Sequence, residues 1–382
     1  MRRLSIIIGL ALCFLPSGTA GAGPEYSDVF VGGAEGYHTY RIPAVAVSQN
    51  GAILAFAEGR SSAKDHAKNN IVLKRSTDSG RTWSALRTLA EDGENALNNP
   101  CVVVLRQTGR ILLMFQRYPR GFDEHKVVPG VEGERIVRTW LMHSDDDGLK
   151  WSAARDITAQ TKRPTYVTSV ATGPGNGIQL RHGPHAGRIL MPFNQGPYGD
   201  WKVYAVISDD LGETWRYGTI APEGSPGLGN EVQFVELSDG RVRLNARSMD
   251  GGYLRKTAVS DDGGSTWSPL IADPGLPEPQ CQASIIRYRG PKDREGSILY
   301  CGPGTQRRRV NGTVRVSDDD GETWPTSRLL YEGHFAYSHL VALEEGSIGC
   351  LFETGARNPY EKIVFARFSL DWLREDADPK NR

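Results

Sequence analysis

Three arginines stand where a strand-rich sequence has little use for a charge. Arg41, in YRIPAV, interrupts an apolar run; Arg247, in RLNARS, ends another; Arg309, in RRRVNGTVRVS, begins a third. A guanidinium presents a planar fork of donors that meets a carboxylate in two parallel bonds, so three of them together call for an anion, and a carboxylate fits best. Each alone would read as a solvated surface charge. Arg307 and Arg308 adjoin the third position and offer the same chemistry. The three lie far apart in the chain, so their chemistry depends on a scaffold that returns distant strands to one place.

That scaffold is written in a repeated box: STDSGRTW at 76–83, SDDDGLKW at 144–151, SDDLGETW at 208–215, SDDGGSTW at 260–267 and SDDDGETW at 317–324. The starts lie 68, 64, 52 and 57 residues apart, and self-similarity at a fixed period signals a repeat architecture. In each box a short carboxylate two places before a glycine can accept backbone N–H groups and close a turn. The tryptophan that ends it can fill the wedge between sheets. The boxes are therefore structural. Between them run short strands: Tyr40–Ser48 and Ala52–Ala57 split by Gln49-Asn50-Gly51, and hairpin-like segments at 101–115 and 231–248. Units of roughly 60 residues, one four-stranded sheet each, select an all-β, six-bladed β-propeller over a sandwich or barrel. The segment 331–370 carries strands without a box, and Tyr26–Val31 is expected to join the last blade and close the ring. The loops at 119–134 and 161–187 are expected near the mouth of the site, and a helical turn near Leu370–Glu375.

Residues 1–22 read as a signal peptide: Arg2 and Arg3, an apolar run from Ile6 to Leu15 too short to span a membrane, and Ala20-Gly21-Ala22. Residues 23–382 then form one propeller domain of a secreted or periplasmic protein. Without Arg2 and Arg3, 43 basic side chains face 45 acidic ones, which gives no basis for nucleic-acid or membrane partners. Cys101, Cys281, Cys301 and Cys350 show no metal-ligand spacing and read as core thiols, Cys281–Cys301 being the pair nearest in sequence should one disulfide form. No metal or organic cofactor is called for.

Across essentially the whole mature chain the sequence resembles the exo-α-sialidases (neuraminidases) of bacterial and animal type. The resemblance rests on YRIP at 40–43 combined with further positions at fitting intervals. It implies a clamp on the sialic acid carboxylate at Arg41, Arg247 and Arg309, an acid/base at Asp65 in SSAKDHAKNN, and a contact to the sugar ring from Arg60 in FAEGR. The nucleophile it implies is Tyr337 in HFAYSHL, paired with Glu231 in GNEVQF, and Glu353 in LFETG is the carboxylate that orients Arg41.

The chemistry suits those residue types. A sialoside carries a carboxylate on its anomeric carbon, so an Asp or Glu nucleophile would meet like charge; a neutral tyrosine does not, and sialidases depart from other retaining glycosidases in this way. An unperturbed phenol titrates near pH 10; Glu231 could take its proton, and the arginine field would favour phenolate character. Asp65 would protonate the leaving oxygen and then activate water. The partners implied are sialylated glycans. Val104 and Leu105, in CVVVLRQ, stand where many relatives carry an aspartate toward the sugar's O4 and N-acetyl side; Gln282, Asn194 and Tyr198 are candidates for that region and the glycerol chain. A trans-sialidase variant would use an aromatic platform, for which Trp140, Tyr166 and Trp201 are candidates. A non-catalytic glycan-binding propeller would be expected to lack Asp65, Tyr337 or Glu231.

Overall fold

The computed structural model describes residues 23–375 apart from 225–227 and 291–292, so the leader read at 1–22 lies outside the described residues. Strands dominate. Among the described residues the helical elements are Thr158–Thr161, a 3-10 turn at Gly183–His185 and Leu370–Arg374, the last capped by the Ser369 side chain, which accepts from Trp372 N. The hairpin signals hold where they were placed. Thr39–Val47 and Ile53–Arg60 pair antiparallel through Val47↔Ile53, and the turn between them uses Gly51 at φ +80°.

Each box builds one turn in one way. In the first, Asp78 accepts from Ser76 Oγ at 2.7 Å, Thr82 N at 2.9 Å and Thr82 Oγ1 at 2.6 Å, while Ser76 Oγ accepts from Gly80 N at 2.9 Å. Hydrogen bonds from the Thr82 side chain and backbone lower the Asp78 pKa to about 2. The tryptophans reach out of their turns to pack on rings elsewhere: Trp83 on Phe365 at 5.5 Å, Trp151 on Phe56 at 5.8 Å and Trp267 on Phe234 at 5.1 Å. The box glycines touch side chains far away in sequence, Gly80 against Phe365 and Gly212 against Leu112.

The sheets correct the six-bladed expectation. Among the described residues four are of blade size, and a fifth has nine strands. The blade-sized sheets are one of five strands built around Ile189–Gln195 and Lys202–Ser208, one running from Gly229–Glu236 to Ile271–Pro277, one running from Ser284–Gly290 to Thr326–His334, and the closing sheet. The closing sheet takes Ser338–Ala342, Ile348–Thr354 and Lys362–Phe368 from one end of the chain and Glu25–Val31 from the other, as expected. The nine-stranded sheet holds both the first and the second box. A parallel bridge, Asn69↔Ala96, joins the strands around the first box to those around the second. The box period counts turns; whether neighbouring strands hydrogen-bond is decided by how closely they approach, which the period does not record. The arrangement is a β-propeller with four separate blades and one fused sheet, not six separate blades.

The strands Thr39–Val47, Ala96–Val104, Gly229–Glu236, Ser284–Gly290 and Ser338–Ala342 wall a central channel, their first residues toward one mouth and their last toward the other. The excursion at 161–187 does more than rim that mouth, since it contributes the short strands Val170–Thr172, Gly175–Asn176 and Ile178–Gln179. The cysteines fit the reading as core thiols. All four described cysteines are free and buried, and Cys301 approaches Cys350 at 3.6 Å between sulfurs rather than Cys281.

Candidate active site

At the mouth where these strands begin lies a cleft of about 540 Å³, lined by Arg41, Arg60, Asp65, Glu231, Arg247, Arg309 and Tyr337 among others. Glu353 lies beneath its floor, fully buried. The fold thus gathers all eight residues singled out above.

The Arg41 corner depends on one irregularity. The pairing of Thr39–Val47 with its neighbour shifts register between Arg41 and Ala44, and Ile42 sits at φ +58°, a conformation a β-branched residue avoids. Glu353 Oε1 accepts from both Arg41 Nε at 2.7 Å and Ile42 N at 2.8 Å; its Oε2 accepts from Tyr337 N at 3.3 Å. Ala336 N donates to Glu353 O and Glu353 N to Tyr337 O. One buried carboxylate therefore ties the first arginine to the tyrosine. Burial opposes the Arg41 charge, but the Glu353 carboxylate outweighs it and raises the pKa further.

The tyrosine corner corrects the expectation of phenolate character. Tyr337 OH donates to Glu231 Oε1, and Arg247 Nη1 donates to Glu231 Oε2 at 2.9 Å and to the phenol oxygen at 3.3 Å. Burial pushes the phenol well above its ordinary pKa and the Glu231 charge pushes it the same way; Arg247 and Arg309 pull down without prevailing. The resting group is a neutral phenol whose proton already points at a carboxylate. The Arg41 and Arg309 guanidiniums each sit 5.4 Å from the centre of its ring.

Arg309 faces the cleft, donating to Gln280 O at 2.7 Å and Tyr360 OH at 3.0 Å, whereas Arg307 stacks on Tyr253 and Arg308 is exposed. Arg247 Nε is buried and has no acceptor among the described residues. Both guanidiniums line the cleft, where their positive charge suits an incoming anion.

Asp65 projects its side chain, 72% exposed, into the cleft from a loop pinned at the backbone by Asn69 Nδ2 at 2.6 Å and Asn98 Nδ2 at 2.9 Å. Arg60 Nη1 donates to its carboxylate at 2.6 Å, and Arg41 Nη1 lies 3.9 Å away. Partial desolvation raises the Asp65 pKa, but the Arg60 charge and hydrogen bond outweigh it and hold the group below its ordinary value.

Several residues at the site escaped the sequence reading. Glu58, fully buried, accepts from Arg60 Nε at 2.8 Å and Asn99 N at 2.7 Å; its i, i+2 spacing from Arg60 on one strand was the available signal. Tyr360 lies 3.9 Å beneath the Arg41 guanidinium, and nothing in its local sequence marks it. His66 stacks on Tyr118 at 4.1 Å and meets Glu124 at 2.9 Å inside the cleft.

Other candidates move. Val104 lies at the far mouth of the channel and Leu105 is core; where their strand meets the cleft it presents Asn98 and Asn99. Gln282 is buried and spends its amide on Ser338 and Pro174 backbone, away from the cleft. Asn194, Tyr198 and Trp201 do line the cleft, whereas Trp140 and Tyr166 do not.

Residues 51–350 match the BNR repeat-like domain family. The chain is 38% identical over 369 residues to a sialidase of Micromonospora viridifaciens, covering 92% of this chain and 55% of that protein, so it spans about half of that relative. It is 30% identical over 372 residues to an exo-alpha-sialidase of Aspergillus fumigatus, covering 88% of this chain and 86% of that one. The chain belongs to the sialidase family of glycoside hydrolases. Among solved structures, the Hadza microbial sialidase Hz136 superposes with a TM-score of 0.81 at 28% identity, over 91% of this chain and 69% of that one. Of the cleft residues, Arg60, Asp65, Glu231, Arg247, Arg309 and Tyr337 fall within the matched residues 51–350, whereas Arg41 and Glu353 lie outside them.

Proposed function

We propose that this member of the sialidase family is an exo-α-sialidase that releases terminal α-linked sialic acid with net retention. The observation that carries the reading is Tyr337 OH donating to Glu231 between Arg41, Arg247 and Arg309. In this reading the three guanidiniums hold the substrate carboxylate in charge-assisted bonds and set the anomeric carbon above Tyr337, converting an encounter into a positioned reaction. As the phenol oxygen attacks the anomeric carbon, its proton passes to Glu231; the glycosidic bond breaks, and Asp65 delivers a proton to the departing oxygen. The second step reverses the roles. Asp65 takes a proton from water, water attacks the anomeric carbon, and Tyr337 leaves with the proton returned by Glu231.

A trans-sialidase reading is favoured by Tyr198 and Trp201, rings 5.7 Å apart at the cleft, with His125 3.8 Å from Tyr198. A purely glycan-binding role is disfavoured, because Asp65, Glu231 and Tyr337 converge there. The test is release of a fluorogenic leaving group from an α-sialoside by the wild type and Tyr337→Phe, with NMR of the first-formed sugar. Turnover giving the α-anomer first, lost in the variant, supports hydrolysis with retention. An intramolecular or glycan-linked product supports the transferase. Binding without turnover by the wild type defeats both. We also propose export, on the leader-like residues 1–22; N-terminal sequencing of the native protein tests it, and a mature chain beginning at Met1 would oppose it.

A further inference from the structure

Arg41, Arg247 and Arg309 are not equally provided with carboxylates. Arg41 is paired with buried Glu353 and lies 3.9 Å from Asp65, and Arg247 is paired with Glu231. Arg309 meets neutral acceptors instead, the Gln280 carbonyl at 2.7 Å and the Tyr360 hydroxyl at 3.0 Å. The remaining carboxylates that line the cleft are committed elsewhere, Asp65 to Arg60 and Glu124 to His66.

Tyr360 reaches two of these arginines at once. The Arg41 guanidinium lies 3.9 Å from the centre of its ring, a cation–π contact, while its oxygen takes the Arg309 bond. The side chain packs against Ile42, Cys281, Ala336 and Tyr337 and borders the cleft. Its loop is held in place. Asn358 Oδ1 accepts from Tyr360 N, Glu361 Oε2 from Ala356 N and Glu361 O from Gly32 N, each at 2.9 Å. A phenol has a proton to give as well as lone pairs to offer. Arg309 uses a lone pair, and among the described residues the proton has no acceptor.

We propose that Tyr360 is a fourth ligand of the substrate carboxylate, donating its hydroxyl proton to an anion held by Arg41 and Arg309. The inference rests on the sialidase reading above and extends the binding side of that site. A carboxylate at position 360 could hold Arg309 as well, but it would cancel the guanidinium charge and repel the incoming anion. The phenol holds the same guanidinium, leaves its charge for the substrate, and adds a charge-assisted bond of its own.

The test is calorimetry of the full chain with the 2,3-unsaturated analogue of sialic acid, which keeps the carboxylate. Thermal transitions show that each variant is folded. Tyr360→Phe keeps the ring beneath Arg41 and should bind the analogue about tenfold more weakly, the scale of a hydrogen bond to a charged group. With an α-sialoside its loss should fall more on KM than on kcat. Tyr360→Glu can still accept from Arg309 but adds a negative charge, and should lose at least about a further tenfold. In crystals of the wild-type complex the Tyr360 hydroxyl should lie within about 3.0 Å of a carboxylate oxygen. A folded Tyr360→Phe that binds like the wild type, a Tyr360→Glu that binds like Tyr360→Phe, or a hydroxyl turned away from the carboxylate overturns the proposal. Binding is read apart from turnover. A wild type that binds the analogue but hydrolyses no α-sialoside therefore defeats the hydrolase reading, while the variants still decide the place of Tyr360. A wild type that does not bind the analogue defeats both.

Discussion

Arg41 and Glu353, 312 residues apart, share a 2.7 Å hydrogen bond in the floor of the cleft, and the oxygen that accepts it also accepts from Ile42 N. The carboxylate fixes the direction of the Arg41 guanidinium at the cleft and sustains a backbone conformation at Ile42 that costs of order 1–3 kcal/mol on its own.

Glu353→Ala should therefore be among the most destabilising single changes at the site. It leaves the Arg41 charge buried without its partner, which costs about 3–5 kcal/mol, and it frees Ile42 and Tyr337 from their shared anchor. Glu353→Gln keeps an acceptor and should lose less. Urea unfolding midpoints of the two variants measure this, and equal midpoints for Glu353→Ala and wild type would contradict the anchoring role.

The Asp65–Arg60 contact makes a prediction about pH. Asp65 titrates below its ordinary value in the free enzyme, so at neutral pH it is ionised, and the protonated form needed to donate a proton shrinks tenfold per pH unit above that pKa. The ratio kcat/KM, which reports free-enzyme groups, should accordingly rise as the medium becomes acidic. Arg60→Lys cannot bridge Glu58 and Asp65 with one planar group. Asp65 should then titrate higher, and the alkaline limb of the profile should move to higher pH. A limb that stays in place in the folded variant removes Asp65 from the acid role.

In the second box, Gly148 lies at φ +76°, and a Cβ there would stand 2.1 Å from Leu54 Cδ2. Gly148→Ala should combine left-handed strain with overpacking, for a loss of about 2–4 kcal/mol. The measurement is a thermal or urea transition, and kcat should stay near wild type because the box lies away from the cleft. A loss of activity without loss of stability would give the boxes a catalytic part that their geometry denies them.

Much of this protein is local, and local features are legible in a linear text. The box turns close on hydrogen bonds within eight residues, the hairpin at Gln49-Asn50-Gly51 needs only its own glycine, and the arginines declare themselves by interrupting apolar runs. From residue types and spacing alone the chain could be read as a ring of antiparallel sheets built to hold an anion, and its motifs named the residues that meet in the cleft. Other properties depend on what approaches what. Burial and the Glu231 charge keep the Tyr337 proton in place against two arginines. The Asn69↔Ala96 bridge merges two box-bearing segments into one nine-stranded sheet. Cys301 faces Cys350 and not Cys281. Hydrogen-bond closure within a turn is set by neighbours in sequence. Desolvation, charge proximity and strand contact are set by neighbours in space, and only the folded chain supplies those.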